Sequence, residues 1–172
     1  CTQCNKCVNI CPHAAIRAKV VSNDLLENAP AGLKHVPAKG RPFDKDNESY
    51  ILQVSPQDCT GCDLCVAVCP AESKEVEGVF AINMAKKSEV EKVENVNWDY
   101  FIDLPYYDRT ELVTTNVKGS QFLEPLFEFS GACSGCGETP YIKLITQLYG
   151  DSMVIANATG CSSIYGGNLP TT

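Results

Sequence analysis

The sequence predicts an α+β domain followed by the first part of an α/β domain. Three observations predict this order: two identical cysteine runs flanked by short apolar stretches, a long turn-rich spacer between the runs, and a glycine-rich cysteine segment that precedes a helix and an apolar run. The chain has eleven cysteines, an odd number, whereas closed disulfides or four-cysteine sites require an even one. One cysteine group is therefore expected to be incomplete.

The composition is that of a folded chain and argues against several partners. The 172 residues are 44% hydrophobic and 20% charged, which is enough apolar material for a packed core. The net charge of −7 without a basic cluster argues against nucleic acid. No apolar run reaches the roughly 18 residues of a membrane span, and no secretory signal is present, so a cytoplasmic location is expected. Because the first residue already belongs to a motif, we expect an internal part of a longer polypeptide.

The first two cysteine groups share the pattern C-x2-C-x2-C-x3-C-P, and the second lies 58 positions after the first. Three closely spaced thiolates can hold three corners of an iron–sulfur cube, and in two-cluster ferredoxins the fourth cysteine ligates the other cluster. A disulfide framework would require export, and zinc does not require this triplet. We therefore expect two interlocked 4Fe–4S clusters in a ferredoxin-like domain. The ligand sets are Cys1, Cys4, Cys7 and Cys69 for cluster 1, and Cys59, Cys62, Cys65 and Cys11 for cluster 2.

The elements around these runs follow from local patterns. Residues 16–21 and 51–54 are expected to be short strands, and residues 22–50 a surface insertion because prolines and glycines punctuate them. Ser88 with Glu91 forms a capping box that predicts a short surface helix. Residues 1–107 are then the first domain, and the polar residues 108–124 are a linker.

Residues 125–172 are expected to open a second domain. Thr139 is a good N-cap and Pro140 suits the first helical position, so a helix is predicted from Tyr141 to Tyr149, ended by Gly150. Its Ile142, Ile145 and Leu148 lie on one face. Residues 153–156 are predicted to form a strand, after which ligands bind in α/β folds. Cys133, Cys136 and Cys161 could be a redox dithiol, a zinc half-site or three ligands of a cluster whose fourth ligand lies beyond Thr172.

The motifs together resemble the pyruvate:ferredoxin (flavodoxin) oxidoreductase family over essentially the whole chain. The resemblance is carried by CNKCVNICPHAAIR at 4–17, GACSGCGETP at 131–140 and ATGCSSIYGG at 158–167. It implies that Cys133, Cys136 and Cys161 ligate a third 4Fe–4S cluster, and that Glu138 and Cys161 contact thiamine diphosphate. It further implies a homodimer that uses Mg²⁺, with the metal ligands outside this segment.

The resemblance also implies an activity. Such enzymes oxidatively decarboxylate pyruvate with coenzyme A and pass the electrons through their clusters to ferredoxin or flavodoxin. This segment would carry the electrons and contain no catalytic residue of its own. Two alternatives remain: a free two-cluster ferredoxin-type carrier, which leaves the third cysteine group without a role, and a related 2-oxoacid or NADP-linked oxidoreductase.

Overall fold

The computed structural model describes residues 1–165, in which a three-stranded antiparallel sheet forms the centre. Its strands are β1 (Ile16–Ser22), β2 (His35–Pro37) and β3 (Glu48–Val54), in the order β1-β3-β2. Ile16 lies opposite Val54 and Ser22 opposite Glu48. The two strands expected from the sequence are confirmed. The insertion is more than a surface loop, because it also supplies β2.

A short helix follows the first cysteines of each run. Helix α1 spans Lys6–Ile10 and helix α2 spans Leu64–Ala67, and the two contact each other. Each helix contains the third cysteine of its run, Cys7 or Cys65. The repeat seen in the sequence is therefore a repeat in three dimensions.

Helix α3 (Lys87–Asp103) covers one face of the sheet. Its Phe101 is fully buried and packs with Val21 and Ile51. The capping-box prediction is wrong: the helix begins after Lys86, so Ser88 lies inside the first turn, and no side chain caps the N-terminus. The helix is also longer than expected, because it continues through Trp98 and Phe101, which pack against the sheet.

A buried lysine of β1 caps the C-terminal end of α3. The Nζ atom of Lys19 donates to the carbonyl oxygens of Phe101 and Ile102 at 3.0 Å each, and also to that of Leu104. The last carbonyls of a helix lack N–H partners one turn further on, although that of Phe101 also accepts from the Leu104 N–H at 3.2 Å, and a cation is favoured at the negative end of the helix dipole. Burial and the neighbouring Arg17 lower the pKa of Lys19 to about 8.

The other face of the sheet is covered by residues that follow α3. Leu112, Phe122 and Leu123 belong to the same hydrophobic core as Val20 and Tyr50. The segment expected to be a linker thus contributes side chains to the core and contains helix α4 (Val117–Ser120). Phe43 of the insertion makes edge-to-face contacts with Tyr107 and Phe122, each with ring centroids 5.0 Å apart.

Helix α5 (Thr139–Tyr149) presents an unexpected face to this core. The N-cap is Glu138 instead of Thr139. Of the three apolar residues predicted on one face, Leu148 packs against the core and Ile142 is half-buried, but Ile145 is exposed. The buried side chains of α5 include Lys143, Thr146 and Gln147. These polar groups find hydrogen-bond acceptors in the protein, with Gln147 Nε2 donating to the Leu123 carbonyl at 2.8 Å.

The last described residues are less regular. A 3-10 turn (Gly150–Ser152) follows α5, and α6 comprises Cys161–Tyr165. The strand expected at residues 153–156 does not form in the described part of the chain, where Val154 is 97% exposed and pairs with no strand. Residues 166–172, which include the end of the third motif, lie outside the described residues. None of the helices within residues 1–165 is both long and apolar enough to cross a bilayer.

Candidate iron–sulfur centres

The two cysteine loops share an unusual backbone conformation. Gln3 and Asn5 in the first loop both have φ of 58°, and the equivalent Gly61 and Asp63 in the second have φ of 70° and 64°. Left-handed residues at these positions turn the chain tightly around the space between the cysteines. In the first loop the N–H of Gln3 donates to the Cys1 Sγ at 3.3 Å. Such backbone donors are suited to thiolate and sulfide acceptors.

The first loop encloses a recess in which cysteines from both runs meet. The recess has an empty volume of about 350 Å³, including space open to solvent. Cys69, from the second run, faces it together with the first-run residues Cys1, Cys4 and Cys7. Tyr50 and Ile82 are among the other lining residues. The structure thus brings together the four cysteines that the sequence assigns to cluster 1.

The second set is brought together in the same interlocked way. The thiol of Cys65 lies near those of Cys59 and Cys62 from its own run and of Cys11 from the first. Burial, with a smaller contribution from these thiols, raises the pKa of Cys65 to about 11. Burial likewise raises the pKa of Cys7 to about 12, with Cys4, Cys65 and Cys69 as neighbours. Iron must displace protons from these thiols, so cluster assembly releases protons.

The recess brings four thiols to one place. Among residues 1–165, no three cysteine, histidine or acidic side chains converge on one metal-ion position. A cubane distributes its four thiolates over four separate iron atoms, so its ligands stand further apart than those of zinc. The cysteine-lined recess fits a cluster by its donor atoms and its apolar walls.

Two buried amide side chains hold the first loop, and sequence reasoning missed both. Gln3 Nε2 donates to the Pro37 carbonyl and Gln3 Oε1 accepts from the Lys39 N–H, each at 2.9 Å. Asn5 Nδ2 donates to the Lys118 carbonyl at 2.8 Å, and Asn5 Oδ1 accepts from the Tyr50 hydroxyl at 2.9 Å. The insertion, β3 and α4 therefore all fasten this loop. Aligning the two runs would have flagged Asn5, because it and Asp63 are residue types that tolerate positive φ.

A third missed residue is Lys143 of α5. Its side chain is 1% exposed, and its Nζ atom donates to the carbonyl oxygen of Val8. Burial lowers the pKa of Lys143 to about 8, although the nearby Cys11 thiol opposes this shift. Helical spacing gave no signal for it, because the apolar residues of α5 predict a different buried face.

The third cysteine group begins in a turn that lies against the second loop. The Cys136 N–H donates to the Cys133 carbonyl at 3.1 Å, and Ser134 Oγ donates to the Thr60 carbonyl at 3.3 Å. A β-carbon on Gly135 would lie 3.6 Å from the Cys62 Cβ. Burial acts to raise the pKa of the Cys136 thiol, but backbone N–H groups at the start of α5 outweigh it and lower that pKa.

The chain leading to this turn is fastened beside Cys11. Arg17, which is 5% exposed, forms an ion pair with Glu128. The Phe129 N–H donates to the His13 carbonyl at 2.9 Å, and the Ser130 carbonyl lies 3.1 Å from His13 Nδ1. These contacts link the approach to the third group with the chain just after Cys11.

The remaining predicted site residues do not form a described site. Glu138 and Cys161 are both exposed, at the start of α5 and of α6. Residues 1–165 do not bring Cys161 into a single-ion ligand group with Cys133 and Cys136. No cavity described within those residues is lined by Glu138 or Cys161, so the structure offers no cradle against which to test thiamine diphosphate.

Known proteins match this chain both at the two cysteine runs and at the third cysteine group. The 4Fe–4S dicluster domain family matches residues 1–73, which contain all eight cysteines of the two runs. Over all 172 residues the chain is 59% identical to a probable pyruvate-flavodoxin oxidoreductase of Escherichia coli and to a pyruvate-flavodoxin oxidoreductase of Nostoc. It is 49% identical over 170 residues to the pyruvate:ferredoxin oxidoreductase of Moorella thermoacetica. Along its whole length the chain is similar to pyruvate-flavodoxin oxidoreductases.

The chain corresponds to one part of the pyruvate-flavodoxin oxidoreductases. At least 99% of the chain is included in each of these matches, but the chain spans only 14% of the length of each of the three relatives. Residues 1–73 are an iron–sulfur domain of the ferredoxin-like type. The third cysteine group lies outside that domain match but inside the match to the oxidoreductases.

Proposed function

We propose that this chain is the electron-transfer segment of an enzyme that oxidises pyruvate with coenzyme A to acetyl-CoA and CO2. The electron pair released leaves in single steps for flavodoxin or ferredoxin, the acceptors that the relatives' names specify. The observation that carries the proposal is the recess in which Cys69 of the second run faces Cys1, Cys4 and Cys7 of the first. Such interlocking places two clusters side by side within one small domain.

The order of electron transfer follows from contacts between the cysteine loops. The turn that contains Cys133 and Cys136 packs against Thr60 and Cys62, so the third group passes electrons first to cluster 2. Cluster 1 receives them next, because Cys65 and Cys7 are close neighbours. Cluster 1 would be the last on this route, and its exposed Cys1 would leave it within reach of the acceptor.

The proposal extends to the groups that the resemblance implies. Cys133, Cys136 and Cys161 hold a third 4Fe–4S cluster with a ligand supplied from outside this segment. Glu138 and Cys161 would contact thiamine diphosphate, which would supply the electron-accepting group for decarboxylation, while the ligands of its Mg²⁺ would lie outside this segment. The enzyme is a homodimer. In this scheme the described residues position and tune clusters, and the acid–base chemistry belongs to other parts of the polypeptide.

Single cysteine substitutions in the complete polypeptide, purified without oxygen, test the ligand sets. Cys62→Ala and Cys11→Ala should abolish the same cluster, although the two residues lie in different runs, while Cys4→Ala abolishes the other. Iron per chain and the electron paramagnetic resonance spectrum of the reduced protein are the measurements. Thr60→Ala, between two ligands of the second loop, is the control and should keep both clusters. Retention of every cluster in Cys62→Ala would overturn the assignment.

Iron content and turnover then separate the enzyme from a simple carrier. Three clusters correspond to about twelve irons per chain, and two clusters to about eight. The enzyme should reduce flavodoxin or ferredoxin only when both pyruvate and coenzyme A are present. About eight irons without pyruvate-dependent reduction would identify a two-cluster carrier, and turnover with a different 2-oxoacid would correct the substrate.

A further inference from the structure

The side chain of Lys143 ends against the first cysteine run, between the cysteines assigned to the two clusters. Its Nζ atom donates to the carbonyl oxygen of Val8, which lies between Cys7 and Cys11 in α1. These two cysteines are assigned to different clusters, so one ammonium group adjoins both. Helix α5, which carries Lys143, begins three residues after Cys136. A charge on the C-terminal side of the chain is thus placed inside the cluster domain.

The surroundings of Lys143 lack a carboxylate. Within residues 1–165 the ion pairs are Arg17–Glu128 and Lys86–Glu89, so no acidic side chain of that part of the chain neutralises Lys143. Arg17 is the other charged group near it and has the same sign. An isolated buried ammonium is strongly unfavourable unless an anion compensates it. The neighbouring anions available are the thiolates of Cys11 and Cys7 with whatever they ligate.

A neutral donor would have been sufficient for the hydrogen bond alone. The Val8 carbonyl could accept from an amide or a hydroxyl without the cost of burying a charge. Nevertheless α5 turns a lysine inward and leaves apolar residues such as Ile145 exposed. This arrangement favours a role for the charge itself over a role in packing.

We propose that the ammonium group of Lys143 is the shared counter-charge of the two clusters and raises their reduction potentials. Through it, reduction of the clusters is coupled to the packing of α5 against α1. The inference rests on the proposed ligand sets. A cluster with four thiolates is an anion that gains one further negative charge on reduction, and a fixed cation nearby favours that form.

The linkage works in both directions. If the seated ammonium favours the reduced clusters, reduction must favour the seated ammonium by the same free energy. Helix α5 would therefore be held more tightly when electrons are on the clusters. Because the Cys133–Cys136 turn immediately precedes α5, the third group would be held most firmly against cluster 2 during electron transfer.

Three variants of the complete polypeptide, purified without oxygen, test the proposal by redox titration followed with electron paramagnetic resonance. Lys143→Met removes the charge and keeps the length, and should move both midpoint potentials to more negative values. Lys143→Arg keeps the charge and should leave them near those of the parent. Gln147→Met removes a buried polar group from the same face of α5 and is the matched neutral control. Unchanged potentials in Lys143→Met, or an equal shift in Gln147→Met, would overturn the proposal.

Iron content separates this failure from failure of the proposed clusters. If the parent protein lacks the two clusters, the ligand assignment itself is wrong. If the parent holds both and only Lys143→Met loses them, amide hydrogen exchange in the parent decides the question without a substitution. Exchange in α5 should be slower in the reduced protein than in the oxidised protein. Equal exchange in the two states would refute the coupling.

Discussion

Asn5 provides a sharp test of how the first cluster loop is held. The residue is 1% exposed, has φ of 58°, and bonds to the Lys118 carbonyl and the Tyr50 hydroxyl. Asn5→Ala removes both bonds and places a residue with a β-carbon and no local polar contact in a left-handed conformation. The loop that carries Cys4 and Cys7 should then open more readily, and cluster 1 should be lost faster.

The structure sets the size of the effect. Each buried polar group left without a partner costs about 1–3 kcal/mol, and a left-handed alanine costs about 1–2 kcal/mol more. Even the lower end, about 3 kcal/mol, corresponds to roughly a hundredfold change in the equilibrium for loop opening. Tyr50→Phe, which removes only one of the two bonds, should cost about 1–3 kcal/mol.

The second loop offers a matched control. Asp63 occupies the equivalent position with φ of 64°, but its side chain is exposed and makes no capping hydrogen bond. Asp63→Ala therefore imposes only the backbone strain, and should accelerate loss of cluster 2 by roughly five- to thirtyfold. The comparison separates the contribution of the buried hydrogen bonds from that of the left-handed backbone.

The assay is the rate of iron release to a strong chelator without oxygen. The cluster that remains is identified from the electron paramagnetic resonance spectrum of the reduced protein, with Cys4→Ala and Cys62→Ala as reference spectra. Asn5→Ala should release the iron of cluster 1 first and about a hundredfold faster than the parent. Release at the parental rate, or equal acceleration of both clusters, would show that Asn5 does not hold the loop.

Two further predictions concern stability. A β-carbon on Gly119 would lie 2.0 Å from the Val113 carbonyl oxygen, so Gly119→Ala should lower the free energy of unfolding by about 1–3 kcal/mol or more. Gly135→Ala, at φ of 71°, should cost about 1 kcal/mol, and Gly137→Ala, with nothing within 4 Å, should be near neutral; thermal unfolding checks this order. Between the folded pKa of Lys19, about 8, and its ordinary value of 10.5, the unfolded chain holds the proton that the folded chain has lost. Stability attributable to Lys19 should therefore rise with pH across this window, by at most about 1.4 kcal/mol per pH unit, and a denaturation series should show no such rise in Lys19→Met.

Local sequence patterns predicted some secondary-structure elements correctly and others wrongly. The strands at β1 and β3 were predictable because short apolar runs bounded by turn residues have few alternatives. The buried face of α5 was not predictable, because Lys143 and Gln147 are buried only where the cluster loops and Leu123 supply acceptors. Residues 153–156 have the composition of a strand, but a strand requires a partner for its ladder, and none lies within the described part of the chain.

The sequence by itself determined the grouping of the cysteines, because ligand spacing in a tight loop is a local property that few other sites share. Tertiary structure alone decided what surrounds those cysteines. Asn5 is fastened by residues 45 and 113 positions away. Lys143 reaches its acceptor across 135 positions. The spacing of neighbouring residues carries no information about such contacts, because burial of a polar side chain depends on the partners that the complete fold brings to it.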